Sequence, residues 1–135
     1  SFGSHIPERD AIWAGLTLWQ WMAESGRALH ELWEEVVQVT GPFFFERANL
    51  DINRNGRNRI LEKLAGGQVP AIGPFQVTRF EVFDGVKLFF GNDWLMVRAS
   101  GTETVLRLYA ESENEVVARE IIEAALAAFS ENHPG

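Results

Sequence analysis

Between positions 98 and 107 the chain reads Arg98-Ala99-Ser100-Gly101-Thr102-Glu103-Thr104-Val105-Leu106-Arg107, with hydroxyls and a glycine bracketed by arginines. That set of residue types can hold a phosphate. Glycine lets successive backbone N–H groups converge on one anion. Ser100 and Thr102 add hydroxyl donors, and a guanidinium is a planar fork that matches two phosphate oxygens. A hydrogen bond to a charged group contributes roughly 1.5–3 kcal/mol, so a few of them hold a phosphate firmly. Ser, Gly and Thr are also ordinary turn residues, and composition alone leaves a plain polar hairpin equally open.

A second spacing suggests different chemistry. Asp51-Ile52-Asn53-Arg54-Asn55-Gly56 followed by Glu62 satisfies the calcium-loop pattern D-x-[DN]-x-[DN]-G-x5-E. Its residue types argue against it. Arg54, Arg57 and Arg59 repel a dication, Asn58 stands where an apolar residue normally links such loops, and the preceding segment reads as a strand. A strand end running into a helix is the better reading. Elsewhere, His5 either orients a ligand or satisfies a loop carbonyl, His30 reads as a solvated helix position, and His133 lies in a tail. Arg9 reads as an ion-pair partner near Glu8. Trp13, Trp19 and Trp21 are expected in a core rather than as a platform for a ligand. Glu34 and Glu35 read as a solvated helix face.

These residues need elements to position them. Ile6-Pro7-Glu8-Arg9-Asp10 reads as a helix start, with proline and acids in the first turn. Ile12, Leu16, Trp19, Met22 and Ala23 recur at helical spacing, and Trp13, Leu18 and Trp21 widen the stripe, which predicts a helix covered on more than one side. Ser25-Gly26 ends it. A second helix carries Leu29, Leu32, Trp33, Val36 and Val37, giving an αα-hairpin. Thr40-Gly41-Pro42 marks a boundary between a helical segment, residues 1–40, and a domain of residues 41–135. In the latter, Phe43 to Asn49 reads as a strand, and Ile60, Leu61 and Leu64 as a short helix stopped by Gly66-Gly67. Gln76–Phe83, Val86–Phe90, Trp94–Ala99 and Val105–Ala110 follow as strands, the first two joined at Asp84-Gly85. A final helix, opened by Ser112 and Glu115 as a capping box, carries Val117, Ile121, Ala125 and Ala128. The pattern is α+β: an antiparallel four- to five-stranded sheet with helices on one face, preceded by the αα-hairpin.

Composition narrows the function. The chain has 135 residues, of which 46% are hydrophobic and 23% charged, a balance that excludes disorder. At that length no disulfide or metal staple is needed to support a core. A net charge of −7 disfavours duplex nucleic acid and anionic membrane surfaces as partners. The chain has no cysteine, which excludes thiolate zinc sites and cysteine nucleophiles. A cytoplasmic location is compatible with that absence. No apolar run approaches a membrane span, and no signal-peptide pattern opens the chain.

The order Asp84-Gly85-Val86-Lys87, Trp94, Arg98-Ala99-Ser100-Gly101-Thr102-Glu103, Arg107-Leu108-Tyr109-Ala110-Glu111 resembles the C-terminal domain of the α-D-phosphohexomutases, the phosphoglucomutase/phosphomannomutase superfamily. Their signature runs approximately D-G-x-K…W…R-x-S-G-T-E-P-x-x-R-x-Y-x-E. His5-Ile6-Pro7-Glu8-Arg9-Asp10 is independently similar to the H-I-P-E-R-D-G segment that closes the family's third domain, and Ser1-Phe2-Gly3 to the tail of its G-E-E-S sugar-binding loop. Two positions depart from the pattern: Thr104 replaces the family proline, and Ala11 the glycine. Thr104 bears on the stiffness of the loop.

The resemblance implies the end of domain three plus a fourth domain similar in fold to the TATA-box-binding protein. It implies reversible transfer between the 1- and 6-phosphates of a hexose through a hexose 1,6-bisphosphate, with Mg2+. Arg98, Ser100, Gly101, Thr102 and Arg107 are then the substrate-phosphate ligands, and Ser1, His5 and Arg9 candidates for the sugar side. The family's phosphoserine loop of T-A-S-H-N-P type, its D-x-D-x-D magnesium loop and its full G-E-E-S loop do not occur in these residues. The expectation is therefore a fragment with no catalytic residue and no bound cofactor of its own, whose partners are a hexose phosphate and the remaining domains. A non-catalytic phosphate-binding or regulatory module is the alternative.

Overall fold

The computed structural model describes residues 10–130, and the chain divides after Gly41 into two compact units. In the first unit Asp10 is an N-cap: its carboxylate accepts the Trp13 N–H at 2.9 Å, and helix α1 runs Ala11–Ser25. The candidate first turn at positions 6–9 lies outside the described residues. Helix α2 runs Leu29–Thr40, and the Glu31 carboxylate holds its start by accepting the Ala28 N–H at 2.7 Å. The expectation that α1 is covered on several sides fails. None of its residues is buried, and Ile12 and Trp19 are 79% and 72% exposed. Leu32 is the buried residue of α2. Two helices form a single layer, and within such a layer apolar periodicity alone does not bury a stripe.

The second unit is α+β. Strand β1 (Phe44–Asp51) leads into helix α3 (Arg54–Ala65). A short hairpin follows, β2 (Ala71–Ile72) with β3 (Phe75–Gln76), and then β4 (Arg79–Phe83), β5 (Gly85–Phe90), β6 (Asp93–Ala99), β7 (Val105–Ser112) and helix α4 (Glu115–Ser130). The main sheet is five-stranded and antiparallel, in the order β1-β7-β6-β5-β4.

Period-two alternation decides which side chains enter the core. Val86 and Leu88, Leu95 and Val97, and Leu106, Leu108 and Ala110 are all buried. They meet Ile60 and Leu64 of α3 and Ile121, Ala125 and Phe129 of α4 in one cluster. The helices thus cover one face. The other face keeps the intervening residues, among them Lys87, Trp94, Arg98, Arg107 and Tyr109.

Three local readings need correction. Helix α3 starts at Arg54, well before Ile60, because Asn53 caps it by accepting the Gly56 N–H at 2.8 Å. The segment read as one strand from Gln76 is split, since β2 and β3 pair over only two residue pairs, too short to leave a period in the sequence. The last helix is capped not by Ser112 but by Asn114, whose Oδ1 accepts the Val116 N–H at 2.9 Å. Ser112 braces that cap, its Oγ accepting the Asn114 N–H at 3.1 Å.

Candidate phosphate-binding site

Strands β6 and β7 pair with Arg98 opposite Arg107. Like charges facing each other across a ladder repel, and each guanidinium has recruited one acid. Arg98 Nη1 lies 3.0 Å from Asp84 Oδ2, and Arg107 Nη2 lies 3.1 Å from Glu103 Oε2. Both acids are largely exposed, so solvent screens each pair and neither adds much to stability. The Nε of Arg98 is buried without an acceptor, which leaves donor capacity unspent. The Arg107 guanidinium is held above its ordinary pKa by its hydrogen bond to Glu103, with the Tyr109 hydroxyl adding to this and partial desolvation opposing it.

The connection between these strands, residues 100–104, is held from three sides. Ser100 N–H bonds Val105 O at 3.1 Å, Ile52 N–H bonds Thr104 O at 3.2 Å, and Arg57 Nη1 bonds Ser100 O at 3.2 Å. The stiffness that a proline would supply at position 104 is therefore provided by a backbone tether from the β1–α3 connection.

Ser100 is buried, and its Oγ accepts both Glu103 N–H and Arg107 Nη2, each at 3.2 Å. A hydroxyl has two acceptor sites and one hydrogen. With both acceptor sites taken, the O–H hydrogen is what Ser100 has left to donate. Gly101 and Thr102 are exposed at the tip.

Gly101 does not serve the purpose inferred from sequence. It has no positive φ, so no turn requires it, and a Cβ built there meets nothing within 4 Å. It leaves open space on the loop surface. Gly101→Ala is accordingly expected to leave the melting temperature unchanged or slightly raised. Phosphate affinity should fall roughly threefold to tenfold, through loss of one backbone contact. Thermal melts paired with phosphate titration check both halves.

Gly85 is the opposite case. Its φ is 118°, and a Cβ there would lie 2.5 Å from Val97 O and 2.7 Å from Arg98 Cβ. Glycine at this point lets β5 press against the backbone of Arg98 and sets Asp84 beside its guanidinium. The Asp84-Gly85 pair is thus more than a hairpin signal; it orients the site arginine.

The remaining signature residues build the open sheet face. Trp94 Nε1 donates to Glu111 Oε1 at 3.0 Å, Lys87 Nζ stands 3.8 Å above the Trp94 ring, and Phe45 packs edge-on to Trp94 and beside Tyr109. They buttress the strands that carry Arg98 and Arg107. The residue missed from sequence is Arg57, which reaches Ser100 across 43 positions. The calcium-like stretch is a strand end and a helix: Asp51 closes β1, Asn53 Oδ1 is spent on the cap, and Arg54 to Glu62 lie in α3. The candidate sugar-side residues Ser1, His5 and Arg9, and also His133, lie outside the described residues.

Residues 49–128 match the sequence model of the phosphoglucomutase/phosphomannomutase C-terminal domain. The chain is 26% identical over 130 residues, 96% of its length, to a phosphoglucomutase/phosphomannomutase of Thermococcus kodakarensis. It is 25% identical over 125 residues, 87% of its length, to a phosphoglucosamine mutase of Methanococcus maripaludis. It covers 26% and 25% of those two relatives, so it spans about a quarter of their length. The matched domain takes in β5 to β7 and the whole loop between the two arginines, and it accounts for more than half of the residues. The chain belongs to the phosphoglucomutase/phosphomannomutase family, whose C-terminal domain it carries.

Proposed function

We propose that this chain supplies the wall of a phosphohexomutase that anchors the phosphate distal to the reacting one. The observation that carries the reading is the facing pair Arg98 and Arg107, with the donor hydrogen of the buried Ser100 and the open surface of Gly101 beside them. The partner is a hexose phosphate, and the whole protein interconverts its 1- and 6-phosphates through a bisphosphate. A sugar that presents either end in turn needs an anchor indifferent to which ester it holds. Amide, hydroxyl and guanidinium donors satisfy any phosphate monoester alike. Holding the far phosphate fixes the near one, and positioning is a large share of phosphoryl-transfer catalysis.

On this reading the magnesium of the reaction belongs to the remaining domains. Among the described residues no group of three or more His, Asp or Glu could hold a metal ion. The remaining domains are the second partner, and the exposed stripe of Ile12, Leu16, Trp19 and Trp33 on α1 and α2 supports a surface they cover. No helix among the described residues is long and apolar enough to cross a membrane. The cytoplasmic location is part of the proposal and rests on the resemblance to the phosphohexomutases.

A coupled assay with hexose 1-phosphate, hexose 1,6-bisphosphate and magnesium tests the division of labour. The 135 residues alone are expected to show no turnover, while binding hexose phosphate weakly. A dissociation constant near millimolar, about 4 kcal/mol, is what a few charge-assisted bonds leave after loop ordering. Turnover that tracks the protein through purification would contradict the assignment of this chain as one wall of a larger site.

A further inference from the structure

On the open sheet face, one strand beyond the loop, β1 and β7 enclose a groove of about 320 Å³ lined by Arg47, Ala48, Asn49, Arg107 and Tyr109. The register places Arg47 opposite Tyr109 and Asn49 opposite Arg107. Arg47 and Arg107 are therefore diagonal neighbours on one face, near enough for long side chains to reach a common point. Arg107 has Glu103 as its acid. Arg47 has no ion-pair or hydrogen-bond partner among the described residues. In a chain of net charge −7 that is notable, because carboxylates outnumber cations and an exposed arginine readily finds one. The groove thus gathers a free planar fork, a second guanidinium, a side-chain amide and a phenol, all able to donate to oxygen. Its neighbours on β1 are Phe45 on one side and Asp51 beyond Asn49 on the other.

We propose that this groove is a second oxyanion site, distinct from the loop between Arg98 and Arg107, for a phosphate dianion or a phosphate ester. Arg47 is its principal ligand and binds bidentately. Asn49 and Tyr109 fix the orientation of the anion, and Arg107, braced toward Ser100 and Glu103, supplies charge from the shared wall. The site stands whether or not the loop itself binds phosphate, since Arg47, Asn49 and Tyr109 take no part in the loop.

The test is a titration of the 135-residue chain with inorganic phosphate, at constant ionic strength set with chloride. It is followed through the Asn49 side-chain amide, the arginine Nε–H signals and the backbone amides. Saturating shifts are expected in two groups, one at residues 98–103 and one at Arg47, Asn49 and Tyr109. Arg47→Ala should weaken the second group at least about tenfold and leave the first unchanged, since one bidentate pair is lost. Arg47→Lys, which keeps the charge and the exposed strand position but loses the fork, should retain part of the affinity. Arg98→Ala should do the converse, removing the first group and sparing the second. Far-ultraviolet circular dichroism confirms that each variant is folded. The proposal is overturned if Asn49 and Tyr109 stay silent, if chloride alone reproduces their shifts, or if those shifts survive Arg47→Ala and vanish in Arg98→Ala. Loss of the 98–103 group alone would count against the loop and leave the groove standing.

Discussion

Arg98→Ala is expected to raise the dissociation constant for inorganic phosphate by roughly tenfold to a hundredfold, the loss of one or two charge-assisted bonds. The fold should be almost indifferent. The Asp84 pair is exposed, the Nε of Arg98 makes no hydrogen bond that could be lost, and removal relieves the repulsion with Arg107 across the ladder. Stability should therefore change by less than about 1 kcal/mol. Arg107 is the contrasting case. It holds Ser100 Oγ and Glu103 together, so Arg107→Ala should loosen the loop and cost stability as well as affinity. Phosphate titration alongside urea unfolding separates the two variants, and equal destabilisation by both would contradict the roles assigned to them.

Gly85→Ala should be the most disruptive small substitution in the domain. The backbone is at a φ of 118°, where an alanine is strained in any surroundings, and the new methyl would sit 2.5 Å from Val97 O. Relief requires β5 to part from β6 in the middle of the sheet. Backbone strain and overpacking together predict a loss of about 2–4 kcal/mol. Phosphate binding should weaken too, because the displaced segment carries Asp84 and bears on Arg98. The comparison with Gly101→Ala is the informative one: two glycines near one site, one required by packing and the other not. A melting temperature for Gly85→Ala equal to that of the unsubstituted chain would show that the β5–β6 contact is softer than the geometry implies.

Much of the fold is legible in the sequence. Alternation in Val86–Leu88, Leu95–Val97 and Leu106–Leu108–Ala110 states both the strands and the face they bury, because a pleated strand leaves no other way to segregate apolar residues. The loop was legible as a linear motif, since its hydroxyls, glycine and both arginines lie within ten consecutive positions. What escaped was long-range or depended on what is nearby. Arg57 touches Ser100 across 43 positions, and its type and spacing argued only against calcium. The pairing of Arg98 with Asp84 follows from the approach of β5 to β6, which the motif alone does not state. Trp19 shows the limit of composition. Large aromatic residues belong in cores, yet burial needs an opposing layer, and the two-helix unit has none. Gly101 shows that a residue type does not state its own reason: it has no positive φ, so the turn does not require it.

In the proposed function residues 98–103 anchor a phosphate monoester, whichever sugar carbon bears it. The most direct measurement is the backbone amide spectrum of the 135-residue chain titrated separately with glucose 6-phosphate, glucose 1-phosphate and glucose. Both phosphates are expected to shift the same amides, those of residues 98–103 foremost, with affinities within a few fold of each other, and glucose to shift none of them. Silence of residues 98–103 towards both phosphates, or a response there to glucose equal to that of its phosphates, would contradict it.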